Sequence, residues 1–113
     1  MNHPESILQI SCVRWFRYQH PEKILFSIPN GGKRNAREAA RLKSEGVLAG
    51  VWDLLLMEPN KEFSGLWLEC KSGKNGLTEN QITFRLKAIS RGYDCKIFRS
   101  FDEFEKIVTD YLK

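Results

Sequence analysis

Three residues in this 113-residue chain have types and spacing that suit joint chemistry: Asp53, Glu69 and Lys71. Each acid interrupts an apolar run, Asp53 in Val51-Trp52-Asp53-Leu54-Leu55-Leu56 and Glu69 in Leu66-Trp67-Leu68-Glu69-Cys70-Lys71. A carboxylate buried in such a run is unfavourable by several kcal/mol unless it is paired, hydrogen-bonded or bound to a metal. Side chains alternate along a strand, so Glu69 and Lys71 share one face while Cys70 points the other way, into the core. If the two runs pair as a hairpin, Asp53 lies across from Glu69, and two carboxylates and an amine converge.

Hydrolysis of a phosphodiester assisted by a metal ion requires such a set. Mg²⁺ prefers oxygen ligands and keeps several waters, so Asp53, Glu69 and the backbone carbonyl of Cys70 form a suitable donor set, with Mn²⁺ as a substitute. The ion polarises a phosphoryl oxygen and lowers the pKa of a bound water. Lys71, as a point charge beside it, orients the attacking water or stabilises charge growing on the phosphate. A plain salt bridge on an edge strand, Glu69–Lys71 or Asp53–Lys71, accounts for the same residues without chemistry.

Eighteen Lys and Arg stand against 14 Asp and Glu, a net charge of +4, which is compatible with a polyanionic partner such as DNA. With 42% hydrophobic and 28% charged residues the chain reads as globular and soluble, neither disordered nor fibrous. The length suits one domain over residues 1–113, with no room for a separate cofactor domain, so no organic cofactor is expected. Cys12, Cys70 and Cys95 are widely spaced and form no CxxC or Cys/His cluster, which argues against a disulfide framework or structural zinc and for reduced thiols in the cytoplasm. The first residues lack a basic start followed by an apolar run, and no apolar stretch approaches the roughly 20 residues that span a bilayer, so neither secretion nor a membrane is expected.

The elements that must position these residues alternate between helix and strand. Pro4 to Gln19 reads as a helix whose one face carries Glu5, Leu8, Cys12 and Phe16. Ile24 to Ile28 is a strand closed by the Pro29-Asn30-Gly31-Gly32 turn, and an Ala-rich helix follows from about Arg34 to Glu45, ending at Gly46. Val51 to Met57 and Leu66 to Lys71 form a hairpin. Thr78 caps a helix to about Arg91 with an apolar stripe of Ile82, Leu86 and Ile89. Tyr93 to Arg99 is the last strand, parallel to Leu66–Lys71. A final helix, capped by Ser100 with Glu103, carries Phe101, Phe104, Val108 and Tyr111. The order is α-β-α-β-β-α-β-α, an α/β fold with a mixed four-stranded sheet flanked by helices.

Asp53 followed by Glu69-Cys70-Lys71 resembles the PD-(D/E)xK nuclease signature. With Ile28-Pro29-Asn30-Gly31-Gly32, Ala40 to Val47, Gly50-Val51-Trp52-Asp53, Leu68 to Lys71 and Leu77 to Gln81 in order, nearly the whole chain is similar to the VRR-NUC domain (virus-type replication-repair nuclease). That resemblance implies the restriction-endonuclease-like fold, Asp53 and Glu69 as metal ligands, Lys71 as the catalytic lysine and Glu5 as an acid contributed from the first helix, with Gln81 near the site. In one departure, Trp52 stands where the superfamily signature has proline. Gln81 also completes the T-x-x-Q capping box of Thr78, and Glu5 also suits the dipole at the start of its helix.

For DNA contact, Lys33, Arg34, Arg37 and Arg41 fall in one stretch, with 34, 37 and 41 on a shared helical face, and Lys74 lies in the turn after Lys71. A solvated helix face, with Glu38 interleaved, and a polar turn explain these residues equally. Taken together, the residues and the resemblance lead to the expectation of a Mg²⁺-dependent, structure-selective endodeoxyribonuclease, intracellular and of phage or prophage type. A chain without a base-reading domain selects shape, and a four-way (Holliday) junction calls for a homodimer. Flap or restriction-like cleavage, and a DNA-binding module without catalysis, are the competing readings.

Overall fold

The computed structural model describes residues 3–29 and 34–113. Its elements are α1 (His3–Gln19), β1 (Leu25–Ser27), α2 (Ala36–Ser44), β2 (Leu54–Leu56), β3 (Leu66–Cys70), α3 (Glu79–Ser90), β4 (Asp94–Phe98) and α4 (Phe101–Tyr111). The expected order is the observed one; the Pro29–Gly32 turn and Lys33 fall largely outside the described residues.

The four strands form one sheet in the order β1-β2-β3-β4. β1 pairs antiparallel with β2 and β2 antiparallel with β3, while β3 and β4 run parallel, as a strand–helix–strand crossover requires. The register, with Leu54 opposite Leu68, Leu56 opposite Leu66 and Leu25 opposite Leu56, stacks the leucines on one face. That face, with Cys70 and Phe98, packs on Cys12 and Phe16 of α1 and Phe104, Val108 and Tyr111 of α4 to form the core. Burying side chains of this size supplies about 1.5–3 kcal/mol each, which is what holds the strands in register.

Residues of opposite parity face away from this core. Trp67, Glu69 and Lys71 of the β3 run point toward α3, where the Trp67 and Phe84 rings meet edge to face at 4.9 Å. Among the described residues no helix is long and apolar enough to cross a membrane.

Two expectations are corrected here. The second strand covers Leu54–Leu56 rather than Val51–Met57: on the β3 side the Asp53 N–H donates to a Glu69 carboxylate oxygen in place of a ladder carbonyl, and ahead of it the Trp52 indole N–H donates to the Gln81 carbonyl at 3.1 Å. The stripe of Ile82, Leu86 and Ile89 does not enter the core, for Leu86 is 63% exposed and its two companions nearly half. α3 turns inward the face bearing Gln81, Phe84 and Ala88 instead, at spacings of three and four, anchored by the Gln81 bonds and the Phe84–Trp67 contact.

α2 is built differently from the other helices. Asn35 caps it by accepting from the Glu38 N–H at 2.7 Å, and Gly46 follows its C-cap with φ 109°, yet the helix buries no residue. It stands beside a cleft lined by Leu42 together with Ile28, Val47 and Val51.

Candidate active site

At the C-terminal end of β3 the chain brings together side chains from both faces of the sheet. Extending the β2–β3 register by one pair sets Asp53 opposite Glu69. The two are cross-bonded: the Asp53 N–H donates to Glu69 Oε1 at 3.1 Å, and the Cys70 N–H donates to Asp53 Oδ2 at 2.9 Å. Each carboxylate thus satisfies a main-chain donor that a regular ladder would have paired with a carbonyl.

Lys71 continues the run, 9% exposed, with its Nζ 3.5 Å from Glu69 Oε2 and 3.0 Å from Gln81 Oε1. The Gln81 amide accepts from Lys71 through its oxygen and donates to Glu69 Oε2 through its nitrogen at 2.9 Å. The same oxygen accepts from the Thr78 N–H at 3.0 Å, while Thr78 Oγ1 accepts from the Gln81 N–H at 3.2 Å, completing the capping box. Capping and site contact are therefore one arrangement: the first turn of α3 aims the glutamine between the acid and the amine.

Two features hold α3 at this distance. Gly50, at φ 92°, lies so close to the Asn80 backbone that any Cβ would collide with it. Trp52, fully buried, then reaches across to Gln81. The tryptophan that replaces the signature proline is thus a strut between the Asp53 segment and the helix that supplies Gln81.

From the other face, α1 delivers Glu5, 8% exposed, whose Oε2 accepts from the Ser72 N–H at 2.8 Å. The Cys70 thiol donates to the Glu5 carbonyl at 3.5 Å, a second tie between α1 and the end of β3. Burial pushes the Cys70 and Cys12 thiols up to about 12 and the half-buried Cys95 to about 11, which leaves all three as unreactive, unpaired thiols.

The electrostatics concentrate on the carboxylate pair. Burial, and next the Asp53 charge, raise Glu69 to about 7, against the opposing pull of Lys71. Burial also raises Asp53, with the Glu5 charge adding to it and the Cys70 N–H opposing it. Two desolvated acids that resist ionising side by side form a site where a cation would be bound strongly. Among the described residues no three His, Cys, Asp or Glu side chains converge as a ready ligand set. Glu5, the further acid expected from α1, gives one carboxylate oxygen to the Ser72 N–H and lies close enough for its charge to raise Asp53. Mg²⁺ does not need three, since it is usually held by one or two carboxylates with water filling the rest of its shell, and the all-oxygen pair of Asp53 and Glu69 fits that habit.

No family model matches the chain, and no curated protein matches it. A solved structure described as a "VRR_NUC domain protein" superposes on it with a TM-score of 0.80, over 99% of this chain and 90% of that one, at 21% sequence identity. The chain has the VRR_NUC fold. The architecture implied by the sequence resemblance is the one observed.

Within the VRR_NUC fold the basic residues behave in two ways. Arg34, Arg37 and Arg41 are all exposed on or next to α2; Arg41 pairs with Glu45 at 2.9 Å, and Arg34 donates to the Pro29 carbonyl at 3.4 Å. Lys74 is exposed in the turn beyond Ser72. Sequence reasoning missed Arg99, whose guanidinium donates to the Gly73 carbonyl at 3.1 Å and so braces the Lys74 turn. The signal was available: parallel pairing of Cys70 with Phe98 puts the residues after each strand, Lys71 and Arg99, side by side.

Proposed function

We propose that this chain is a metal-dependent endonuclease that hydrolyses phosphodiester bonds in DNA, selects branched DNA, the four-way junction above all, by shape, and acts as a homodimer. The observation that carries the reading is the pair of half-buried Asp53 and buried Glu69, cross-bonded through the main chain and linked to Lys71 by Gln81, at the end of β3 in a VRR_NUC fold. A structural ion pair requires neither the second acid nor the glutamine bridge.

In this reading Asp53, Glu69 and the Cys70 carbonyl hold Mg²⁺ or Mn²⁺, which when bound supplies Lewis acidity and a water of lowered pKa. Lys71 keeps a fixed positive charge at the edge of the site, where it orients the attacking water and offsets charge growing on the phosphate. Gln81 touches no substrate in this scheme. It is a positioning residue that holds the ammonium and the Glu69 carboxylate in one geometry. Glu5 fixes the Ser72 backbone, and with it the turn that presents Lys74 to a flanking phosphate. Arg34, Arg37 and Arg41, with Lys33, neutralise phosphates farther along the duplex.

Selection by shape is supported by the exposed basic residues Arg34, Arg37, Arg41 and Lys74, which suit phosphate contacts, and such contacts carry no base sequence information directly. A four-way junction has two-fold symmetry and calls for two symmetric incisions, which a C2 pair of chains delivers. A surface suited to that pairing exists. Phe26 of β1, Leu55 of β2 and Trp67 of β3, with Ile24 just before β1 and Met57 just after β2, share the sheet face opposite the core, which α3 covers only in part, and Ile24 and Met57 are each more than half exposed.

The test is a panel of four-way junctions, flaps, nicked duplexes and linear duplexes, incubated with Mg²⁺ or Mn²⁺. Preferential paired incision of the junction is expected. Equal cutting of linear duplex would remove the shape-selective reading in favour of restriction-like cleavage. Binding without metal-dependent cutting of any substrate would leave a DNA-binding module. Sedimentation of the wild type beside Met57→Asp addresses the homodimer: a dimer that dissociates in the variant is expected, and a wild-type monomer overturns it.

A further inference from the structure

A second cleft, of about 330 Å³, runs between α1 and the edge strand β1. Gln9, one of its lining residues, carries an anomaly. Gln9 Oε1 is shielded from solvent and accepts no hydrogen bond, and among the described residues it is the sole buried side-chain atom in that condition. A buried acceptor left unsatisfied is unfavourable, and elsewhere in this molecule comparable groups are paired, so the exception calls for a reason. The rim carries Arg14 and Arg17. Arg17 donates to the Leu25 carbonyl at 3.0 Å, which lays its guanidinium across the cleft toward β1; among the described residues neither arginine forms an ion pair. Both are exposed and offer positive charge to an anion.

The cleft lies next to the carboxylate pair. Gln9 follows Glu5 by four residues on α1, one turn and roughly 6 Å away. On the opposite wall Ser27 precedes Ile28, whose N–H donates to the Asp53 carbonyl at 3.0 Å. A nucleic-acid strand passing the acids therefore has a continuation along α1 toward the two arginines, besides the one past Lys74. Arg14 and Arg17 stand nine and twelve residues from Glu5, roughly 14 and 18 Å along the helix.

We propose that the α1–β1 cleft is a nucleotide subsite, which takes one unstacked nucleotide of the DNA strand with a base N–H on the Gln9 amide oxygen and a backbone phosphate on Arg14 and Arg17. The proposal deepens the nuclease reading and rests on it for the identity of the ligand. The chemistry matches on each count. Every DNA base carries an N–H donor on an edge freed by unstacking, the phosphate supplies the anion, and Ile10 and Val13 give the base an apolar wall. The amide oxygen reaches the cleft by rotation about χ3, a broad torsion, and it gives up no hydrogen bond in turning. Bases at the branch point of a junction are the least firmly stacked in the substrate, so the subsite would add a reason for the preference for branched DNA.

The experiment measures binding of the full chain to a four-way junction without divalent metal, with 2-aminopurine placed in turn at the nucleotides around the branch point. For the wild type, fluorescence is expected to change at one position only. Gln9→Leu keeps the volume and removes the orphaned acceptor, so the variant is expected to melt no lower than wild type yet bind the junction about five- to ten-fold more weakly, with an unchanged salt slope and no fluorescence change. Arg14→Ala and Arg17→Ala are each expected to lower the salt slope by about one. Wild-type junction affinity in Gln9→Leu, or a fluorescence change that survives in it, overturns the subsite. Loss of affinity for heparin equal to the loss for the junction would also overturn it, by reducing the cleft to a site for any polyanion. These readouts use no cleavage, so failure of the subsite is distinct from failure of the nuclease reading, which would show as a wild type that binds junctions but never cuts them with Mg²⁺ or Mn²⁺.

Discussion

The end of β3 and the helix α2 both carry charge, and they carry it in opposite ways. At β3, Glu69 and Lys71 are buried, and their partners come from two other segments, Asp53 ahead of β2 and Gln81 of α3. On α2 every residue but Leu42 is exposed, none is buried, and the charged contact is an Arg41–Glu45 pair within the helix itself. A charge held by packed elements has one geometry, which chemistry requires. A charge on a solvated helix has many, which suffices for attracting phosphates and for little else. Substitutions at the first site should therefore act all-or-none on turnover, and those at the second in small, salt-dependent steps.

The largest contrast is expected in turnover. Asp53→Ala and Lys71→Ala should each lower junction cleavage by about 100-fold or more while leaving DNA affinity within a few-fold of wild type, as read by single-turnover cleavage beside a binding titration. A Lys71→Ala enzyme that cuts at a tenth of the normal rate would reduce that residue to a phosphate contact like those on α2.

Stability should divide along the same line. Leu68 stands beside Glu69 on β3, fully buried in the core, so Leu68→Ala should lower the unfolding free energy by about 2–5 kcal/mol in urea titrations. Lys43→Ala on α2 should stay within about 0.5 kcal/mol.

The pH dependence sharpens the contrast. Glu69 titrates near 7 when folded against an ordinary 4.5, so between those values the folded chain binds the proton more tightly than the unfolded chain does. Its contribution favours folding at low pH and is lost as pH rises from about 4.5 through 7, an effect on the order of 1–3 kcal/mol. The metal-free protein should therefore melt lower at pH 8 than at pH 5.5, and Glu69→Gln should flatten that difference. Mg²⁺ at pH 8 should raise the melting temperature of the wild type and not of Glu69→Gln. Gln81→Leu, which removes an N–H that the ionised carboxylate accepts, should shift the transition to higher pH.

The smallest effects belong to α2. Arg34→Ala, Arg37→Ala and Arg41→Ala should each weaken DNA binding by a few-fold at low salt and lower the salt slope by about one, with turnover of bound DNA unchanged.

Much of this division was legible in the sequence because it follows from strand parity and from acids in apolar runs. The parity of Glu69, Cys70 and Lys71 and the pairing of the two runs were enough to bring Asp53 beside Glu69. The shared face of Glu5, Cys12 and Phe16 was enough to bury Glu5. The missed features depend on contacts between distant segments, which no local pattern encodes. Ile82, Leu86 and Ile89 have the spacing of a core stripe, but the helix turns its Gln81-Phe84-Ala88 face inward because Trp67 and Glu69 wait there. The strand at Asp53 stops early because a carboxylate replaces the ladder carbonyl. Gln81 allowed two readings from spacing alone, and only the position of Lys71 shows that one amide serves both.

The central claim is that Asp53, Glu69 and Lys71 are a hydrolytic site rather than a buried ion pair. The most direct test is Mg²⁺-dependent cleavage of a four-way junction by the wild type beside Glu69→Ala, with junction binding followed in the same samples. The wild type is expected to cut, removal of metal to abolish cutting, and the variant to bind the junction with near-normal affinity without cutting it. A Glu69→Ala protein that cuts at the wild-type rate would contradict it.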